Sequence, residues 1–335
     1  MAMKMAFFLA HDPGGADVVL PAADWFKQHG LPAVVYCVGP AALLHKQFAA
    51  KEAEVIRSLE ATVLAGESSL IVTGTSWNSD FEIQCLNYCN QHGVPTATIL
   101  DYWTNYKLRC TDTGGSEVFP QYYIVMDELA SQEAISDGVP GNIIRILGHP
   151  GLDRFVKAKP VNRQRRGSES KKALFLSQPL SQLYGTSLGY NEESVIPDLL
   201  KLFQLYLGWD LFIKFHPKDK PQLRSDYRRY AVNGDLTEWL SEVDLVIGMN
   251  SIGLLHAYLL NKPVISYQPN LQKEDFCITN KLKLTRSINS YNELAASFET
   301  LAKGIRNEIG HIQQPIWMDG RSTARIGMFL KEIRL

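Results

Sequence analysis

Short apolar runs alternate with amphipathic stretches along most of the chain. In the first half, runs at 5–9, 33–38, 70–73, 96–100 and 122–126 predict buried strands. Stretches at 16–28, 41–51 and 81–91 between them carry helical spacing. Two of these helices run into His-Gly, at His29-Gly30 and His92-Gly93, where glycine supplies the left-handed residue that stops a helix. A second series predicts strands at 173–177, 211–215, 245–247 and 263–267. Its clearest helix is 195–207, where Ile196, Leu199, Leu200, Phe203 and Leu207 form one apolar stripe. Buried strands alternating with helices imply βαβ units and parallel sheets. The pattern predicts an α/β fold of two Rossmann-like domains, without a solenoid repeat.

The segment 157–172, KAKPVNRQRRGSESKK, interrupts the alternation with seven Lys/Arg against one Glu. It divides the chain into an N-terminal domain (1–156), a basic linker (157–172), a C-terminal domain (173–315) and a tail (316–335). A length of 335 residues agrees with two cores rather than one. The net charge of −1 supplies no global field for nucleic acid, which is not expected as a partner. Five cysteines (37, 85, 89, 110, 277) without regular spacing argue against a disulfide framework and for a reducing compartment. Cys85 and Cys89, one helical turn apart, read as buried thiols. The N-terminal apolar run is too short for a signal core, and no stretch approaches the roughly 20 apolar residues of a membrane span. The expected location is cytoplasmic, with the basic linker offering a peripheral contact to an anionic inner membrane face.

Ligands of open parallel sheets bind beyond the carboxyl ends of the strands, so polar loops there are the candidates for chemistry. After the first strand come His11, Asp12, Pro13, Gly14, Gly15 and Asp17. The glycines suit an anion at a helix N-terminus, and Asp12 or His11 suits a base for an acceptor hydroxyl; the bland alternative is a capped βα turn. Asp101, Tyr102, Trp103, Thr104, Asn105, Tyr106 and Lys107 interleave aromatics with hydrogen-bonding groups, as a sugar face requires, or else form a packing cluster. His149 lies in a Gly-His-Pro-Gly turn near the end of the first domain. In the second half, Ser177 and Gln178 follow the first strand, and Lys214, Phe215, His216, Pro217 and Lys218 follow the second. A histidine held by proline beside two lysines suits a phosphate. At 248–269, GMNSIGLLHAYLLNKPVISYQP, a strand ends in glycine, Asn250 and Ser251 open a helix through Ile252, Gly253 and His256, and a second strand follows. Ser251 at the cap directs a hydroxyl and backbone N–H groups at an anion. The alternative is an ordinary βαβ unit. Neither Asp-x-Asp nor His-x-x-x-His occurs, so no metal and no other cofactor is expected.

On these residues the chain resembles the GT-B-fold glycosyltransferase superfamily, including bacterial capsule transferases and the UDP-N-acetylglucosamine 2-epimerases. Segment 248–269 looks like the donor-binding strand–helix–strand. His256 stands where many members carry an acidic residue that holds the ribose. Lys214-Phe215-His216-Pro217 is similar to the His-Pro motif of bacterial surface-polysaccharide transferases that use CMP- or CDP-linked donors. The resemblance implies two domains facing across a cleft, with the donor phosphate held by His216 and Ser251. Asp12 matches the acidic residue of the N-terminal loop that serves as base, with His11 second. The C-terminal domain then binds a UDP-, CMP- or CDP-linked sugar through Ser177, Gln178, Lys214, His216, Pro217, Asn250, Ser251, Ile252, Gly253 and His256. The N-terminal domain binds a carbohydrate or lipid-linked acceptor through Gly14, Gly15, Asp17, Asp101, Tyr102, Trp103, Asn105, Lys107 and His149. Closure excludes water, and the tail around Ile316–Asp319 returns to the first domain. The implied activity is metal-independent glycosyl transfer in surface polysaccharide or glycoconjugate synthesis. A UDP-sugar 2-epimerase or hydrolase and a non-catalytic nucleotide-sugar-binding protein are the alternatives.

Overall fold

The computed structural model describes residues 4–76, 79–158, 170–303 and 314–334. The chain divides into two compact units, Met1–Lys157 with Gln314–Leu335, and Ala158–Gln313.

The first unit is built on β1 (Met5–Ala10), β2 (Ala33–Cys37), β3 (Ser68–Thr73), β4 (Thr96–Ile99), β5 (Tyr122–Val125) and β6 (Ile144–Ile146), in the spatial order β2-β1-β3-β4-β5-β6. All pairs are parallel, with Phe7 opposite Val34 and Ile71. The pleat sends alternate residues to opposite faces, and both faces are covered. Ala6 and Phe8 pack with Val18, Val19, Ala22 and Phe26 of the helix Pro13–Gln28 and with Ile326 and Leu330 of the C-terminal helix Ser322–Ile333. Phe7 and Leu9 pack on the other face with Val55, Leu59, Phe81 and Cys85. The tail is held by position-specific contacts. The Asp153 carboxylate accepts from the backbone N–H groups of Ser322 (3.1 Å) and Thr323 (2.9 Å), which are otherwise orphan donors of that helix's first turn. A Cβ on Gly327 would stand 2.2 Å from the Trp25 ring, so the two helices meet where only glycine fits.

The second unit carries β7 (Lys171–Leu176), β8 (Trp209–Lys214), β9 (Leu245–Gly248), β10 (Val264–Tyr267) and β11 (Ser287–Ile288), in the order β11-β10-β9-β7-β8, again all parallel. Each sheet has one strand whose chain leaves to one side while a later strand pairs on the other. In the first unit this switch point lies between β1 and β3, in the second between β7 and β9. In open α/β sheets that crevice is where ligands bind.

The α/β reading with parallel sheets holds, and several local expectations are corrected. The first helix begins at Pro13, so Gly14 and Gly15 are helical residues of its first turn rather than loop. The expected helix 41–51 is instead a short helix Gly39–Leu44, a 3-10 turn Lys46–Phe48 and the start of a new helix, Glu52–Leu64, whose first turn carries Glu52 and Glu54 where the helix dipole favours acids. Leu207 is not part of an apolar stripe: its helix, Glu192–Gln204, ends earlier and the side chain is 96% exposed. Strands β6 and β11, with three and two residues, are too short for a periodic signal. Lys157 closes a helix and Lys171 and Lys172 open β7, which shortens the basic linker at both ends; its residues 159–169 lie outside the described residues.

Candidate functional site

In the first unit, the loops after β1, β3 and β4 converge on the switch point. Gly74 follows β3 so closely against the first helix that a Cβ there would stand 2.5 Å from the Gly15 Cα. The His11 backbone N–H donates to Glu82 Oε1 (2.8 Å), and the Ser76 hydroxyl donates to Glu82 Oε2 (2.7 Å). Burial pushes the Glu82 carboxyl up, against those two donors, which lower it. The His11 ring nitrogens face two carboxylates, Nδ1 at 2.7 Å from Asp12 Oδ1 and Nε2 at 3.7 Å from Glu52 Oε1. His11 and Asp12 are thus held against each other at the start of the first helix. Asp101 Oδ1 takes hydrogen bonds from the Thr75 hydroxyl (2.6 Å) and Arg109 Nη1 (2.5 Å). Its other oxygen overhangs the first helical turn, where a Cβ on Gly14 would stand 1.9 Å away. A helix N-terminus favours an anion there.

The other proposed acceptor residues divide. His149 is buried and its Nε2 lies 3.0 Å from the Asp101 carbonyl oxygen; a carbonyl only accepts, so Nε2 carries the proton. Burial lowers its pKa and keeps the ring neutral. Trp103 does not offer a face to a sugar. It is 1% exposed, donates its indole N–H to Asp127 at 2.9 Å and packs between His149 and Trp317. Asn105 is an exposed turn residue at φ 58°, and Lys107 points to Glu117 in a 2.7 Å ion pair. Asp17 pairs at the surface with Arg154 (3.1 Å), and Tyr102 packs edge-on against Trp103. The packing reading of the 101–107 aromatics thus accounts for Trp103, while Asp101 belongs to the polar cluster.

In the second unit, the loops after β7 and β9 are tied across the switch point: the Asn250 N–H donates to Gln178 Oε1 (3.1 Å). Ser251 caps the helix Ile252–Leu259 and accepts from the Gly253 N–H (3.2 Å), which leaves its hydroxyl proton for another acceptor. Gly253 is also required by packing, since a Cβ there would stand 2.6 Å from Leu176 Cδ1. The turn is braced from below by Ser266 and Gln268, which both donate to the Met249 carbonyl (3.0 and 3.2 Å). After β8, His216 Nδ1 accepts from the Lys218 N–H (3.1 Å), so the ring proton sits on Nε2. Burial lowers the His216 pKa, helped by Lys218 and Arg224 and opposed by Asp219. His216 is therefore a neutral N–H donor through Nε2. Lys214 hydrogen-bonds the Gly234 carbonyl.

Three buried oxygens on these loops lack a hydrogen-bond partner: Ser177 Oγ, Asn250 Oδ1 and Asp219 Oδ1. Ser177 is close enough to the Asp219 carboxyl to lower its pKa, against burial, without meeting hydrogen-bond geometry. Buried polar groups are rarely left unpaired, and these three lie at the carboxyl ends of β7, β8 and β9. Among the described residues no group of three or more His, Cys, Asp or Glu side chains is arranged to hold a metal ion. No described helix is long and apolar enough to cross a membrane.

Glu82, Arg109, Thr75 and Asp219 are the site residues that sequence reasoning missed. Glu82 left a faint signal, an acid in the first turn of the helix Phe81–Gln91 directly after β3. Arg109 left none, because its partner lies across a loop.

No protein-family model and no curated protein matches the chain. Solved structures do. UDP-GlcNAc 2-epimerase from Methanocaldococcus jannaschii matches with a TM-score of 0.70 at 11% identity, over 98% of this chain and 100% of that one. The enzyme of the same name from Neisseria meningitidis, bound to UDP-GlcNAc, matches at 0.69 and 12%, over 98% and 100%. Anabaena HepE in complex with UDP-glucose matches at 0.57 and 16%, over 98% of each chain. The fold is of the GT-B kind. At these identities the likeness carries architecture alone, and GT-B domains host many reactions.

Proposed function

We propose that the protein is a nucleotide-sugar enzyme that transfers a glycosyl group to an acceptor hydroxyl without a metal. The observation that carries this reading is the β7–β9 switch point. There, the Ser177 and Ser251 hydroxyls, helix N–H groups and the His216 Nε2–H offer donors to a phosphate, and the Asn250 and Asp219 oxygens offer acceptors to a polar base or sugar. The two UDP-sugar complexes among the similar structures support a nucleotide-sugar ligand. The His-Pro pair at 216–217 resembles CMP- and CDP-sugar transferases, so the donor is UDP-, CMP- or CDP-linked. The leaving phosphate gains charge as the glycosyl bond breaks, and fixed N–H donors stabilise that charge at no reorganisation cost. The Asp12 carboxylate, oriented by His11, takes the acceptor's proton. The acceptor is a carbohydrate or lipid-linked glycan held by the Asp101, Thr75 and Arg109 cluster, and contact with an anionic membrane would bring a lipid-linked one within reach.

A UDP-sugar 2-epimerase is the second reading, favoured by the full-length likeness to two such enzymes and by the buried Glu82 carboxyl beside His11. A thermal-shift panel of UDP, CMP, CDP and their sugars, followed by product analysis, separates the readings. Glycosylated acceptor with stoichiometric free nucleotide supports transfer. A 2-epimer or free nucleotide without acceptor supports the second reading. Absence of any nucleotide-dependent rise in Tm would overturn both.

A further inference from the structure

The first unit contains a buried chain of contacts that the proposed chemistry does not use. It begins in the tail. Trp317, fully buried in the turn Ile316–Asp319, donates its indole N–H to Asp127 Oδ2 (2.9 Å). The same carboxylate accepts from the Trp103 indole N–H (2.9 and 3.1 Å) and from the Ala130 backbone N–H (2.9 Å). Trp103 meets Trp317 edge-on at 6.0 Å and lies nearly parallel to the His149 ring, 5.9 Å away with 11° between the planes. His149 Nε2 reaches the Asp101 carbonyl, and Asp101 holds Thr75 and Arg109. A second contact from the tail arrives beside the same histidine. Arg325 donates to the Leu147 carbonyl (3.0 Å) and to the Ile316 carbonyl (3.0 Å), and a Cβ on Gly148 would stand 2.3 Å from Ser322 Oγ.

We propose that Trp317 is a positioning residue for Asp101: its indole N–H fixes Asp127, Asp127 fixes Trp103, and Trp103 sets the ring plane from which His149 holds the Asp101 backbone. Tail docking and site geometry are then one event. The physical reason is the cost of a buried carboxylate. Asp127 is held by three N–H groups in a site that burial makes unfavourable for charge, so removing one donor leaves a partly satisfied anion that must rearrange or take a proton. Trp103 donates to both of its oxygens and follows either movement.

The proposal rests on the sugar-chemistry reading only where the test measures turnover. The test is Trp317→Phe, which keeps a ring against Trp103 and removes the N–H. The control is Leu330→Ala, a fully buried residue of the same tail segment that packs in the cluster around Phe8 and Phe26. Both variants lower Tm. Trp317→Phe alone is expected to move the Trp103 indole and His149 ring N–H resonances and to lower kcat on the order of tenfold with KM little changed. Equal resonance shifts and equal rate losses in the two variants at matched Tm loss would overturn the proposal and leave Trp317 a structural anchor, as would unmoved resonances in Trp317→Phe. If the wild-type protein turns over no nucleotide sugar, the functional reading fails and the resonances alone decide this one. Should Trp317→Phe not fold, Asp127→Asn, which keeps both indoles, carries the same readouts.

Discussion

Replacing Gly14 by alanine sets a helix preference against a clash at the site. Gly14 is in the first turn of the helix Pro13–Gln28, where alanine would ordinarily gain about 1 kcal/mol. Its Cβ would stand 1.9 Å from Asp101 Oδ2 and 3.0 Å from Asp101 Cγ. A free carboxylate would swing aside. This one is held through Oδ1 by Thr75 at 2.6 Å and Arg109 at 2.5 Å, with both partners part-buried. Moving it gives up one or both of those bonds, each worth about 1.5–3 kcal/mol when charge-assisted. After the helix gain is subtracted, the loss is about 2 kcal/mol, a fall in Tm of roughly 4–8 °C for a unit of this size. Calorimetry on the variant, in parallel with a double-mutant cycle, checks the reasoning. In an Asp101→Ala background the obstructing oxygens are gone, and Gly14→Ala should become neutral or stabilising. A Tm for the single variant at or above wild type, or the same loss in both backgrounds, would refute the argument. The same displacement removes the carboxylate from the proposed acceptor site, so turnover should fall further than the Tm change alone explains.

Three further outcomes are expected. His149 is depressed by burial, so the folded chain binds fewer protons than the unfolded one as pH falls through about 6.5, and stability present above that pH is lost toward acid; His149→Gln, which keeps a donor near Nε2, should flatten the Tm profile between about pH 7.5 and 5. His216→Ala should weaken nucleotide binding on the order of tenfold by calorimetric titration, with little change in Tm of the free protein, because it removes one N–H donor from a half-exposed ring; unchanged affinity would take His216 out of the phosphate site. All five cysteines are buried free thiols, with burial pushing Cys37 up to about 11 and Cys89 and Cys110 up to about 12. A thiol reagent at neutral pH should therefore react slowly with the native protein and with five equivalents after denaturation; rapid native labelling would contradict that burial.

Part of this molecule is local. The alternation of short buried strands and amphipathic helices was legible because a strand covered on both faces must be apolar throughout, and a helix covering it must be apolar on one side. Glycine after His29 and His92 marked helix ends for a similarly local reason, the left-handed backbone at Gly30 and Gly93. Which loops are candidates followed from the parallel sheet itself, since the carboxyl ends of its strands open on one edge.

The tertiary structure decided the rest, because a parallel sheet pairs strands distant in sequence and its order is not written in any one segment. Glu82 meets the His11 backbone across 71 positions, and Asp101 meets Thr75 across 26. Neither pairing exists until β3 lies beside β1 and β4 beside β3. Trp103 reads equally well as a sugar platform or as core, since an indole suits both. Only the buried carboxylate of Asp127 and the indole of Trp317, 190 positions from that carboxylate, place it in the core. His216 read as a phosphate ligand from its proline and lysine neighbours, and the lowering of its pKa by burial is a property of the folded chain alone. The segment 248–269 shows both kinds of information at once. Its strand, capped turn and helix are set by its own residues, whereas the Asn250–Gln178 bond that ties it to the loop after β7 exists only because β9 pairs with β7.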